Sequence, residues 1–280
     1  MKTIKLLALS AIVVGCISSC QREEIATEVN EVNNVPTKEQ LIKLSNMGVN
    51  TKSVTIQSLK NLDGSIEDYF INGTDLGIPV VSLTDESSLE TLKDGTKQYR
   101  TRNLISNSNR IVNVLGYTGG GGYGISNTGR QALQRAVDNY NRLNTSLNLR
   151  LSFGANYQAA DMVIYVERSL GNGGQAGFPS GGRPYKWARI GSGVENRGVA
   201  YATHVIAHEM GHCIGLRHTD WQQRVCDGGG EGQGADGAIH IPGTPRGTDI
   251  TSFMISCSAP GTSQTGAFNR NDVTAIQYLY

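Results

Sequence analysis

The chain of 280 residues carries 25 Lys and Arg against 24 Asp and Glu, a formal net charge of +1. No basic cluster stands out beyond the first few residues, so a nucleic-acid surface is excluded as the working function and no nucleic acid is expected among the partners. Its 35 glycines gather at 119–122, 171–182 and 228–237, which reads as long surface loops on a small sheet.

The N-terminus reads as an export signal. Lys2 and Lys5 precede an apolar run at 6–14 that is too short to span a bilayer as a helix. Ile17-Ser18-Ser19-Cys20 resembles a lipobox, with Cys20 receiving the lipid. Cys16, after Val14-Gly15, also fits, but polar sequence begins directly after Cys20. Gln21-Arg22-Glu23-Glu24 resembles the charged signal of surface-exposed bacterial lipoproteins. The expectation is a signal peptide at 1–20, a lipid anchor in the outer membrane and exposure at the cell surface.

Residues 21–102 are expected to be a linker and pro-region. Up to about residue 50 the chain is polar and charged, a tether. From 53 to 92, short apolar stretches at 65–71 and 76–81 predict strands and turns. Lys97-Gln98-Tyr99-Arg100-Thr101-Arg102 reads as an exposed basic junction, with a catalytic domain at 103–280 beyond it.

Within that domain, residues 110–115 predict a strand. Thr128 and Gln131 form a possible capping box ahead of Ala132, Leu133, Ala136, Val137, Tyr140 and Leu143 at helical spacing. Leu147, Leu149, Leu151 and Phe153 alternate as a half-buried strand, and 160–166 is a strand apolar on both faces. Asn271 or Asp272 is expected to cap a last helix carrying Val273, Ile276 and Tyr280 on one face.

His208-Glu209-Met210-Gly211-His212, extended through Gly215 to His218, is the most informative segment: HExxHxxGxxH. On a helix His208 and His212 sit one turn apart on one face and converge on one ion. Gly215 tolerates positive φ, ends the helix and lets His218 supply a third nitrogen. Glu209 need not bind metal and can act as general base on a water that zinc makes acidic. Bare HExxH also occurs by chance, but the long form fixes two further residues, and a structural zinc site would close four protein ligands without needing Glu209.

Downstream, Ser252-Phe253-Met254-Ile255-Ser256 resembles the Met-turn of metzincins, with Met254 as the methionine. Together with HEMGHCIGLRHTDW and GAIHIPGTP, the run from Gly198 to Cys257 resembles the dual-action HEIGH metallopeptidases, a bacterial metzincin family. The resemblance implies an α+β domain of twisted mixed sheet, zinc helix, Met-turn and C-terminal helix. It also implies one catalytic zinc and endopeptidase activity on protein or peptide substrates. Two departures are visible: Met210 stands where the family name has Ile, and no Tyr follows Met254 at the second position. The stretch from Gly177-Phe178-Pro179 towards Ala188-Arg189-Ile190 resembles the metzincin edge strand that aligns an extended substrate, and 271–280 resembles the final matrixin helix. Tyr69 to Asp75 loosely resembles the astacin-type aspartate switch, which makes Asp75 a possible latency switch closing the open metal position, against the plainer reading of a turn aspartate.

Other candidates are weighed individually. Of the exported cysteines Cys213, Cys226 and Cys257, the last two lie in irregular segments near the site, and the disulfide is assigned to them. His204, one turn before His208, is assigned to packing, because one helix cannot offer three turns to one zinc. His240 either lines the substrate cleft or shapes its loop, and Asp220 either orients a ligand imidazole or caps a turn. Asp227, Glu231 and Asp236 lack EF-hand spacing, so calcium is possible but unsupported and a solvated loop is preferred. The alternative to an enzyme is a catalytically silent surface adhesin or glycan-binding lipoprotein on a metzincin scaffold.

Labelling cells with a fatty-acid analogue is expected to mark the wild-type protein and not Cys20→Ala. Unchanged labelling of the variant would move the modification to Cys16.

Overall fold

The computed structural model describes residues 34–46, 49–72, 75, 77–83, 98–233, 236–245, 247–257 and 261–280. The export signal, Cys16, Cys20 and residues 21–33 lie outside the described residues. No described helix is long and apolar enough to cross a membrane.

Helix α1 (Lys38–Asn46) falls inside the stretch expected to be a tether, and it buries Leu44 completely. Leu44, Val49, Val54 and Phe70 form a small core, which a composition-based reading of a polar segment does not reveal. Strands β1 (Thr55–Lys60), β2 (Ile66–Ile71) and β3 (Ile78–Pro79) make an antiparallel sheet in the order β1-β2-β3, in line with the strands predicted there.

Strand β4 (Tyr99–Arg100) corrects the exposed junction. Gln98, Tyr99 and Thr101 are buried, and β4 is the middle strand of a three-stranded antiparallel sheet whose partners lie more than a hundred residues later. Gln98 Nε2 donates to Asp272 at 2.8 Å, and Tyr99 meets the Trp221 ring edge-on at 5.4 Å. The polar and charged residues that made the segment look exposed are satisfied by side chains distant in sequence.

Strands β5 (Ile111–Tyr117), β6 (Asn148–Gly154), β7 (Met162–Glu167), β8 (Gly174–Gln175) and β9 (Trp187–Gly191) form the main sheet in the order β6-β5-β7-β9-β8. Only β8 runs antiparallel to its neighbour. The edge next to β9 is therefore β8, and Ala188-Arg189-Ile190 is an inner strand rather than the expected edge.

Alternation sorts the sheet's two faces. Val112, Val114, Met162, Ile164, Ala188 and Ile190 join the main core with helices α2 (Asn127–Asn141) and α3 (Val199–Cys213). Leu115, Val163, Tyr165 and Trp187 form a second cluster, against which Leu62 of the β1–β2 turn packs. Burial of β7 on both faces follows. Helix α2 is capped by Ser126, which accepts from Gly129 N, rather than by Thr128. Strands β10 (Leu216–Arg217) and β11 (Ile239–His240) flank β4. Helix α4 (Arg270–Leu279) starts from Asn269, whose capping box with Asp272 lies slightly upstream of the expected cap.

On the second face of the sheet Arg189 is fully buried. It pairs with Glu67 of β2 at 2.7 Å, donates to the Tyr165 hydroxyl at 3.0 Å and reaches Asn61. Glu67 also accepts from Tyr69 at 2.7 Å and Tyr185 at 2.6 Å. The hairpin of β1 and β2 is thus fastened to the sheet by one buried cation and a ring of hydroxyls.

Because Tyr99 fills a core position, Tyr99→Ala is expected to destabilise the fold by about 3–5 kcal/mol. A chain beginning at Asn103 should melt below one beginning at residue 98; equal Tm values would show that β4 is dispensable.

Candidate metal and active site

Helix α3 is buried on nearly every side from Ala202 to Cys213, so its polar residues sit in the interior and need partners. The helix ends at Cys213, and Gly215 takes φ +102°, a conformation unfavourable for residues with a Cβ. The chain then turns back and brings His218 to the helix. The Nε2 atoms of His208, His212 and His218 lie 3.0–3.1 Å apart.

Each ring is oriented through its other nitrogen. His208 Nδ1 donates to the Phe253 carbonyl at 2.7 Å, His212 Nδ1 to the Leu216 carbonyl at 2.8 Å, and His218 Nδ1 to Glu231 Oε1 at 2.5 Å. A carbonyl accepts only, so the proton is on Nδ1 of His208 and His212, and their Nε2 lone pairs face inward. Three converging imidazole nitrogens fit a cation. Tetrahedral zinc with bonds of 2.0–2.1 Å would place its nitrogens about 3.3 Å apart, close to the spacing seen.

Asp75 completes the cluster. Its Oδ2 lies 2.9 Å from His208 Nε2 and its Oδ1 2.9 Å from His218 Nε2. Among the described residues, Asp75, His208, His212 and His218 are the group placed to hold a metal ion.

Glu209 is 1 % exposed, and its Oε2 has no hydrogen-bond partner. Burial, and then the charge of Asp75, push its carboxyl well above the usual carboxylate range. Gly174 of β8 permits this arrangement: a Cβ there would collide with the Glu209 carboxylate. Gly211 does the same below, where a Cβ would collide with Met254 Sδ. Met254 is fully buried, its carbonyl accepts from Thr219 N at 2.9 Å, and the preceding carbonyl orients His208. The turn around Met254 thus touches α3 and the chain next to His218.

The model of the dual-action HEIGH metallo-peptidase family matches residues 73–280. The chain belongs to that family. The match starts two residues before Asp75 and takes in the three histidines, Glu209 and Met254. Two solved structures of myroilysin are similar, at 10% identity with a TM-score of 0.41, and at 11% with 0.38. Each match covers 61% of this chain, and 79% and 82% of the respective myroilysin chain. No curated protein matches.

The remaining candidates separate clearly. Cys226 and Cys257 are joined in a disulfide, and Cys213 is a buried free thiol. Closing a loop across 31 residues contributes about 4 kcal/mol by restricting the unfolded chain. Asp220 touches no ligand imidazole; it accepts from Val225 N, Ser256 N and Ser256 Oγ and caps its turn. His240 Nε2 meets Thr244 Oγ1 at 3.2 Å, a loop-shaping contact. His204 is buried outside the cluster, and burial, then His208, lower its pKa to about 3. Asp227 pairs with Arg224, while Glu231 turns to His218, so the acidic residues of this loop do not converge on a calcium ion.

Glu231 is the site residue that sequence reasoning missed. Thirteen positions after His218 and among glycines, it reads as solvated, yet it is 5 % exposed. Its backbone bridges to Val49, a long-range contact invisible in local sequence. Glu231→Ala is expected to weaken zinc binding about 10–100-fold in chelator competition, and Glu231→Gln, which can still accept from Nδ1, to weaken it less. Unchanged affinity in Glu231→Ala would remove this role.

Proposed function

We propose that the protein is an exported, lipid-anchored zinc endopeptidase of the metzincin type, made as a latent precursor. The observation that carries the reading is the convergence of three imidazole Nε2 atoms beside the buried carboxylate of Glu209, whose Oε2 has no hydrogen-bond partner. His208, His212 and His218 would hold the zinc. When bound, the ion supplies Lewis acidity that polarises a peptide carbonyl and makes water easier to deprotonate.

The chain's own residues do the rest. Glu209 takes the proton of the attacking water and hands it to the leaving amide nitrogen. An extended substrate aligns along β8, the edge of the main sheet, by strand addition. Gly174 of that strand abuts Glu209, which puts the substrate backbone next to the base.

Asp75 supports latency by position: its carboxylate lies 2.9 Å from the inward nitrogens of His208 and His218 and would keep water and substrate from a metal held there. Export and lipidation rest on the N-terminal sequence, and residues 84–97, ahead of β4, are the stretch in which an activating cleavage leaves the buried strand intact.

Glu209→Ala is expected to keep zinc while losing roughly 10²–10⁴-fold in turnover of a peptide substrate, and His212→Ala to lose the metal. Asp75→Ala should raise precursor activity. Near wild-type hydrolysis by Glu209→Ala would sink the mechanism, and a precursor indifferent to Asp75→Ala would leave the N-terminal region as a folding aid.

A further inference from the structure

A cavity of about 380 Å³ opens beside Asp75, His208 and Glu209, at the small end of ligand pockets and suited to one side chain. Leu170, Val205 and Ile255 supply apolar wall. Two of its hydroxyls are already committed: Tyr201 donates to the Asn172 carbonyl at 2.9 Å and Ser256 to Asp220 at 2.7 Å. His204 also lines the cavity, is 7 % exposed, and has an Nδ1 without any hydrogen-bond partner. A buried polar atom left unpaired is costly unless something arrives to pair it. No described residue pairs with it.

Resting on the peptidase reading above, we infer that His204 is a specificity-determining residue, and that this cavity takes an uncharged substrate side chain ending in an amide or a phenol hydroxyl, glutamine or tyrosine. The apolar walls accept methylenes or a ring. A neutral imidazole nitrogen accepts or donates according to tautomer, and amides and phenols can meet either. Among the described residues no Lys or Arg lines the cavity to meet an anionic tip, and with Asp75 removed only Glu209, committed to the reacting water, could face a cation, so a charged tip would be buried unpaired. An aliphatic tip of the same size leaves Nδ1 unsatisfied, which is how sites built for a hydrogen bond reject the analogue that lacks one.

The test uses the full chain carrying Asp75→Ala, loaded with zinc, on peptide pairs differing at one position beside the cleaved bond: Gln against Met, and Tyr against Phe. At one position kcat/KM should favour Gln and Tyr about 10–100-fold. Adding His204→Leu should bring the ratio to one or below, while His204→Asn, which keeps a polar group, should restore part of it. Zinc content and Tm measured alongside identify any variant that has simply misfolded, and the parent ratio depends on neither variant. Glu209-dependent cleavage that treats each pair alike overturns this inference and leaves the peptidase reading standing. Absence of any cleavage overturns both.

Discussion

Three imidazole nitrogens aimed at one point constitute the constraint on which the rest of this structure depends. Hydrogen bonds among them cannot satisfy all three rings, so the arrangement must be enforced from outside. It is enforced through Nδ1: the carbonyl of Phe253, a carbonyl of β10 and the carboxylate of Glu231 each hold one ring. These acceptors come from three separate segments. The lower half of the domain, irregular as it is, is organised to bring them to one helix.

That enforcement needs close approach. Gly211 brings Met254 against the helix, and Gly174 lets Glu209 lie under the edge strand. The Cys226–Cys257 disulfide ties the loop leading to Glu231 to the segment just past the Met-turn. β4 in turn holds β10, whose Leu216 carbonyl orients His212. Burying so many polar groups on α3 is unfavourable in isolation, so a cation bound there would be part of the energetics of the fold as well as of the chemistry.

Two of the points at which the N-terminal region meets the same domain differ in character. On the sheet, Arg189 offers a buried cation amid aromatic rings, and Glu67 neutralises it while Leu62 and Tyr69 bring apolar cover. At the site, Asp75 presents the opposite charge to the histidines. The first contact fixes where the hairpin sits, and Asp75, six residues after Tyr69, has its carboxylate 2.9 Å from two of the histidine nitrogens. A carboxylate on an unanchored loop would lose that placement to conformational entropy.

Much of the chemistry is legible in the linear sequence because it is local. His208 and His212 share a helical face by spacing, Gly215 permits the turn, and the alternating leucines of β6 report its half-buried state. Residues 99–100 and Glu231 are not legible that way. Their polar neighbourhoods look solvated, and only partners more than a hundred residues away, Leu216 and Ile239 for β4 and Val49 for Glu231, put them inside. The same holds for Arg189, a charged residue in an inner strand whose partner Glu67 belongs to another sheet, and for β8, which takes the sheet edge expected of β9. Sequence by itself determined the spacing of the histidines, the glutamate beside the first of them and the helix-ending glycine, because backbone geometry acts within a few residues. Tertiary structure decided which carboxylate orients His218, which strand forms the edge and that Asp75 reaches the histidines, because pairing a buried charge depends on what the fold brings near it.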